Sequence, residues 1–551
     1  MANWFESEFL NGLGAVVEDN GFLSSEASKL VIDAAVNTTR NRPHPWSTFA
    51  DYPNWRGLTD RTYLARHLSA SETDPATLPD IGKVMALFAR PEGGGKKSDK
   101  STCLFPAFAQ YLTDGFIRSN PVDCARTTSN HEIDMCPLYG RTVEQTHALR
   151  LNSEAPAHKG RLKSQLIAVR TPNGSARDEE FPPFLYKKDG SLTDPAFIVL
   201  DPPLFAQSQP IKPPTQPAPP PPTTSVAGWE DPGRALSLFA TGGDRVNSSP
   251  FTAMMNTIWL REHNRLAGEL EARNPTWDDE HVFQVARNIL IPMFVKIVVE
   301  DYINHIIPLP LKLKADPSVA WDANWNRPNW MTAEFSPLYR WHGLLPDSIA
   351  WTDGTVTPTT SFSLDNRKLL EIGVDATVIS AASQCTMQLG PLNTTAALQP
   401  IEWASITQAR KNKLRSYNEY RVAFDLKPAT QFSDISSNAQ VQTLLKKLYG
   451  TPDKVEFYPG MFAENKVDDS PLPELILKMV AVDAFSQALT NPLLSQHVWK
   501  DNPTLTFTDW GFNEITNTGT LADVLRRQNP QADLSKVTMT LPGWSYVKDP
   551  Q

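Results

Sequence analysis

The chain has 551 residues with 52 basic and 61 acidic side chains, a formal net charge of −9, and this excludes nucleic acid as its main partner because the basic surface that neutralises phosphates is missing. Hydrophobic residues make up 40% and charged residues 21%, which excludes a disordered or fibrous chain and allows a large buried core. The length fits several average domains or one large helical catalytic domain.

In the N-terminal stretch, apolar residues recur at helical spacing at Phe5, Phe9, Leu10, Leu13 and Val16, then at Leu30, Val31, Ala34 and Ala35. Two short helices packed on the core are predicted, a segment 1–40 ahead of a domain 41–551. Met1 to Asn20 lacks the basic start and apolar run of a secretory signal, and no run of 18 uninterrupted apolar residues marks a spanning helix. Glu6, Glu8, Glu18 and Asp19 deny the stretch the basic face of an interfacial helix. The expectation is a cytoplasmic protein, at most peripheral to a membrane, with weak or no membrane association. Cys103, Cys124, Cys136 and Cys385 show no metal-ligand spacing and suit a reducing compartment.

Further on, EGGGKKSDK at 92–100 reads as a flexible excursion, and QPIKPPTQPAPPPPTTS at 209–225 as an extended polyproline II crossing or a ligand for an SH3-like partner. From Phe251 to Leu270 the residues Met255, Ile258, Trp259, Leu266 and Leu270 follow a 3.6-residue period, so a helix is predicted there, with a second starting at Asn274–Thr276. The segment FSPLYRWHGLLPDS, 335–348, sets Tyr339 and His342 three positions apart. On a helix this spacing puts both on neighbouring parts of one face, where an imidazole could hold a metal or haem iron with a phenol close by. Taken alone, the same pair also reads as packing.

That segment resembles the proximal-helix signature of cyclooxygenases and their relatives in the animal-type haem peroxidase superfamily. Residues 242–290, GGDRVNSSPFTAMMNTIWLREHNRLAGELEARNPTWDDEHVFQVARNIL, are similar to the long central helix pair of that superfamily, and FPAFAQYLTDGF (105–116) and VEFYPGMF (455–462) match in order. The resemblance points to the cyclooxygenase-like, fatty acid dioxygenase branch, in a bacterial-type member. It implies a mainly α fold, a helical catalytic domain with long irregular loops, and haem b ligated by His342. Tyr339 would be the radical site that oxidises a fatty acid, Tyr458 the tyrosine hydrogen-bonded to the proximal histidine, and Arg40 the anchor of the substrate carboxylate. Leu309 stands where cyclooxygenases have a tyrosine that assists that arginine.

The family pattern breaks on the opposite haem face. Gln110 matches the distal glutamine, but Asp114 stands where a distal histidine is expected. Arg245, in a GDxR motif, resembles the arginine that myeloperoxidase-like enzymes place over haem. A carboxylate can take and return the peroxide proton, although an ordinary aspartate pKa of about 3.9 suits neutral pH less well than the value of about 6.5 for histidine. An Asp114–Arg245 pair also reads as a plain buried salt bridge. Thr113, Ser248 and Ser249 occupy the places of the residues that bond haem covalently in myeloperoxidase-like enzymes, so noncovalent haem is implied. Gly115 replaces a calcium-ligating aspartate, so no calcium is expected there. The implied activity is fatty acid dioxygenation to oxylipins, with a fatty acid or other small molecule and O2 or peroxide as reactants and a homodimer compatible with it. Two alternatives stay open: a peroxide-dependent peroxidase or peroxygenase on a nonlipid metabolite, and a haem-binding protein without turnover.

Overall fold

The computed structural model describes residues 21–37, 60–120, 122–170, 174–201, 231–326 and 328–546. The first predicted N-terminal helix, Arg40 and the proline-rich run lie outside these residues. In chain order, the elements used below are α1 (Gly21–Asn37), β1 (Lys97–Thr102), α2 (Leu104–Asp114), β2 (Gln165–Arg170), β3 (Ala176–Phe181), α3 (Pro250–Arg273), α4 (Asp279–Ile297), β4 (Ser348–Ala350), β5 (Val356–Pro358), α5 (Arg367–Ala382), β6 (Cys385–Met387), α6 (Gln399–Lys411), α7 (Phe457–Ala463), α8 (Glu474–Leu489) and α9 (Pro503–Thr516). The fold is mainly α, as the resemblance implies, and among the described residues its strands pair as short antiparallel ladders, β1 with β6, β2 with β3 and β4 with β5.

The helix α3 is the spine of the core. Ser249 caps it, its hydroxyl accepting from the Thr252 N–H, and Pro250 follows with no N–H to leave unpaired. It is buried along most of its length, with Met254, Ile258, Trp259 and Leu266 inaccessible to solvent and only its last turns reaching the surface at Glu269, Ala272 and Arg273. Polar residues on such a helix must find partners inside the protein. Glu262 accepts from Arg265 at 2.8 Å and from Arg527 at 2.9 Å, and the imidazole of His263 is held by Tyr139 and the Gly160 carbonyl, each at 2.9 Å.

The second helix of the pair begins later than predicted. Asn274 closes α3 through its N–H to the Leu270 carbonyl, and α4 starts at Asp279, where the Asp278 carboxylate accepts from the His281 N–H at 2.8 Å. Aspartate at the cap position outcompetes the Asn-Pro-Thr start because it satisfies a free N–H and meets the positive end of the helix dipole. α4 continues through a π-helical turn, Val298–Ile303, to Ile306. This span is long and apolar enough to cross a membrane, but 78% of its apolar window is buried inside the protein, where it packs on α3 and α9.

The second predicted N-terminal helix is α1, which lies on α8. Its buried stripe is Ala27, Val31, Ile32, Ala35 and Val36, while Leu30 is 70% exposed. The excursion predicted at 92–100 ends in β1 instead, because Ser98 and Lys100 turn inward and the strand pairs with β6. All four cysteines are free.

Candidate functional site

The aromatic segment does not run as one helix. Phe335–Leu338 makes a single turn, Tyr339 leaves the helical region (φ −97°, ψ 21°), and a new tight turn starts at His342. Tyr339 stacks on Phe335 with ring centroids 4.5 Å apart and on Trp341 at 4.9 Å. Neighbours two apart point away from each other on a helix, so the Tyr339–Trp341 stack is available only if the helix stops. The predicted shared helical face is therefore absent, and the two side chains reach different parts of the core.

The phenol of Tyr339 points into the protein. Burial and the nearby Asp483 carboxylate push its pKa above the ordinary tyrosine range, while the Tyr302 hydroxyl favours its ionised form. Tyr302 sits in the π-helical turn after α4, fully buried, with no other partner for its hydroxyl among the described residues. Asp483, on α8, pairs with the His67 Nε2 at 3.3 Å.

The imidazole of His342 is held from α6. Its Nδ1 contacts one oxygen of Glu402, and the other Glu402 oxygen accepts from the Tyr458 hydroxyl at 3.0 Å. Tyr458, on α7, thus reaches His342 only through Glu402, a correction to the direct hydrogen bond expected from the sequence. The physical reason is reach: the buried carboxylate occupies the space between phenol and imidazole and is the better acceptor for both. The Nε2 atom of His342 makes no hydrogen bond among the described residues.

The third part lies at the end of α2. Asp114 Oδ1 is 3.5 Å from Arg245 Nη1, and Oδ2 is buried without a hydrogen-bond partner among the described residues. Burial raises the pKa of Asp114, with the Arg245 charge opposing that rise. One turn earlier, Gln110 donates to the Ser248 hydroxyl at 2.7 Å, and Arg245 donates to the Ile117 carbonyl at 2.7 Å. Gln110, Asp114 and Arg245 are thus brought together. Thr113 is turned onto the backbone of its own helix, Ser249 is used as the α3 cap, and Gly115 closes α2. Arg340 links this part to the His342 side: burial lowers its pKa to about 10, the Arg245 charge adding to that, and it senses Asp114, Glu402 and Tyr458 together. Leu309 is buried at 1% exposure. Arg40 lies outside the described residues.

Sequence reasoning missed Glu402, Tyr302, Arg340 and the His67–Asp483 pair. A signal existed for Glu402: with Ser405, Ile406 and Ala409 it forms the buried face of α6, as the single acid on that face. A carboxylate on a buried stripe needs a donor, and a histidine is a natural one.

The Animal haem peroxidase family model matches residues 207–539. Prostaglandin G/H synthase 2 of Equus caballus is 30% identical over 526 residues, covering 93% of this chain and 78% of that protein. Among solved structures, the fatty acid alpha-dioxygenase of Oryza sativa superposes with a TM-score of 0.66 at 15% identity, over 97% of this chain and 96% of that one. Peroxidase A from Dictyostelium discoideum gives a TM-score of 0.62 at 17% identity, over 85% and 92%. The chain belongs to the animal haem peroxidase family and is a haem-dependent oxidoreductase.

Proposed function

We propose that this protein is a fatty acid dioxygenase that forms oxylipins by means of a radical on Tyr339. The observation that carries this reading is the placement of that phenol, half-buried and beside Tyr302, three residues from an imidazole whose Nδ1 is anchored and whose Nε2 is unengaged among the described residues. The fatty acid alpha-dioxygenase fold and the prostaglandin synthase relatives support a lipid substrate.

The donor set fits haem: His342 Nε2 would hold the iron, and Asp114 Oδ2 is a buried polar atom with no hydrogen-bond partner among the described residues. Noncovalent haem b agrees with the hydroxyls of Thr113 and Ser249 being engaged with their own helices, and Gly115 offers no side chain to calcium. Bound haem supplies the one-electron oxidant drawn from peroxide. Asp114 takes the peroxide proton and returns it to the leaving oxygen, while Arg245 stabilises the negative charge that develops there, with Gln110 lining the same space. Tyr339 then loses an electron and its Oη proton. The phenoxyl radical takes a hydrogen atom from a C–H bond of the bound lipid, which restores the phenol; O2 adds at that carbon, and the resulting peroxyl radical takes the Tyr339 Oη hydrogen atom back, giving the hydroperoxide and the phenoxyl radical again. Arg40 is assigned to the substrate carboxylate.

A second reading, a peroxidase or peroxygenase on a nonlipid metabolite, is favoured by one observation: Asp114 and Arg245 pair with each other, without any need of Tyr339. Incubating the haem-loaded protein with a panel of fatty acids, and separately with peroxide and a dye, while following O2 uptake, tests both. Uptake with a fatty acid supports the dioxygenase; dye oxidation with no uptake from any fatty acid rejects it in favour of the second reading.

A further inference from the structure

Glu402 is 1% exposed, and both of its oxygens are engaged, one by His342 Nδ1 and one by the Tyr458 hydroxyl. A carboxylate so deeply buried is stable only with strong donors and a nearby cation. Here the cation is the guanidinium of Arg340, whose own hydrogen bond runs to the Ser336 hydroxyl at 3.0 Å. Because the carboxylate only accepts, the imidazole hydrogen sits on Nδ1 and the Nε2 lone pair is left for a metal. A neutral acceptor would orient the ring in the same way. A charged one does more, since its bond to the imidazole is roughly twice as strong and draws the Nδ1 proton towards Glu402, leaving negative charge on the ring.

We propose that Glu402 is a positioning residue that loads the His342 imidazole with negative charge, so that the ring is a stronger electron donor to haem iron held at Nε2. This rests on the assignment of His342 as the haem ligand. It also gives the Asp114 substitution a counterpart: a stronger donor to the iron would offset a weaker proton carrier. Tyr458 tempers the effect. Its hydroxyl donates to the second Glu402 oxygen, withdrawing charge that would otherwise reach His342.

The two partners therefore act with opposite signs, which a merely structural role does not produce. The test uses the full-length haem-loaded protein and two readouts: the haem reduction potential from a spectroscopic redox titration, and the iron–histidine stretching frequency of the ferrous form from resonance Raman scattering. Glu402→Gln is expected to move the potential positive and lower the stretching frequency. Tyr458→Phe is expected to move the potential negative and raise the frequency, and Glu402→Asp to lie between wild type and Glu402→Gln. If Glu402→Gln does not fold, the shifts in Tyr458→Phe and Glu402→Asp decide the matter. Haem bound through His342 with both readouts unchanged in the glutamate variants, or shifting in the same direction in Glu402→Gln and Tyr458→Phe, overturns the proposal. A wild-type haem spectrum that survives His342→Ala overturns instead the ligand assignment on which it rests.

Discussion

Asp114 and Arg245 form a largely buried ion pair in which one carboxylate oxygen lies 3.5 Å from the guanidinium and the other has no hydrogen-bond partner among the described residues. A carboxylate oxygen free of partners inside the protein is costly to keep unless a reactant uses it.

If Asp114 is the proton carrier, Asp114→Ala slows peroxide reduction on the order of 10²-fold or more. Arg245→Ala slows it as well, because the developing charge loses its counter-ion. The carboxylate form is the base, and burial raises its pKa, so the rate falls as pH falls through that raised value. Asp114→His moves this fall to higher pH and raises turnover at neutral pH. Stopped-flow pH profiles of peroxide reduction check these outcomes, and unchanged rates in both alanine variants would make the pair structural.

His342→Ala abolishes the haem absorption band of the native form, because no other imidazole stands in the aromatic segment and the Nε2 of His342 is unengaged. Titration with haemin, followed by absorption, measures this directly. Retention of the wild-type band in the variant rules out the assignment.

Tyr339→Phe removes one hydroxyl and keeps the stack between Phe335 and Trp341. Haem binding and peroxide reduction survive, whereas oxygen uptake with fatty acid falls to background. Equal loss of both activities, or uptake that persists, favours the nonlipid peroxidase reading.

Three buried histidines tie stability to acid. Burial lowers the pKa of His131 to about 4, with the Arg61 charge adding to it, that of His263 to about 3, and that of His305 well below the ordinary imidazole value, with the Lys100 charge adding to it. All three are neutral in the fold and charged in the unfolded chain below about pH 6.5. The unfolded state then binds more protons, so stability is fully present above that pH and is lost as pH falls towards about 4, at roughly 4.1 kcal/mol per unit from the three together. Urea unfolding by circular dichroism at a series of pH values measures the slope. His131→Gln reduces it by about one proton; an unaltered slope contradicts the assignment.

Trp259 is inaccessible and packs edge-on against Phe294 at 5.0 Å in the middle of α3. Trp259→Ala leaves a large cavity in a rigid core and lowers the unfolding free energy by about 3–5 kcal/mol. A chemical denaturation curve shifted by less than about 1 kcal/mol would mean that the core collapses around the vacancy.

The helical class, the α3–α4 pair and the placing of Gln110 and Asp114 one turn apart were legible in the sequence, because periodic burial and turn-by-turn spacing are local properties, whereas the joining of Arg245 to them was implied by the family resemblance alone. Local spacing failed at Tyr339 and His342. The sequence presents them as neighbours on a helix, yet stacking of Tyr339 on Trp341 ends that helix and sends the two side chains apart. Nor could it show that Glu402, 60 positions beyond His342, stands between that ring and Tyr458. Contacts such as these, and His67 with Asp483 across 416 positions, join residues whose separation along the chain carries no periodic signal. They exist because a buried charge accepts burial only beside its partners, and only the packing of α6, α7 and α8 against the aromatic segment decides which partners those are.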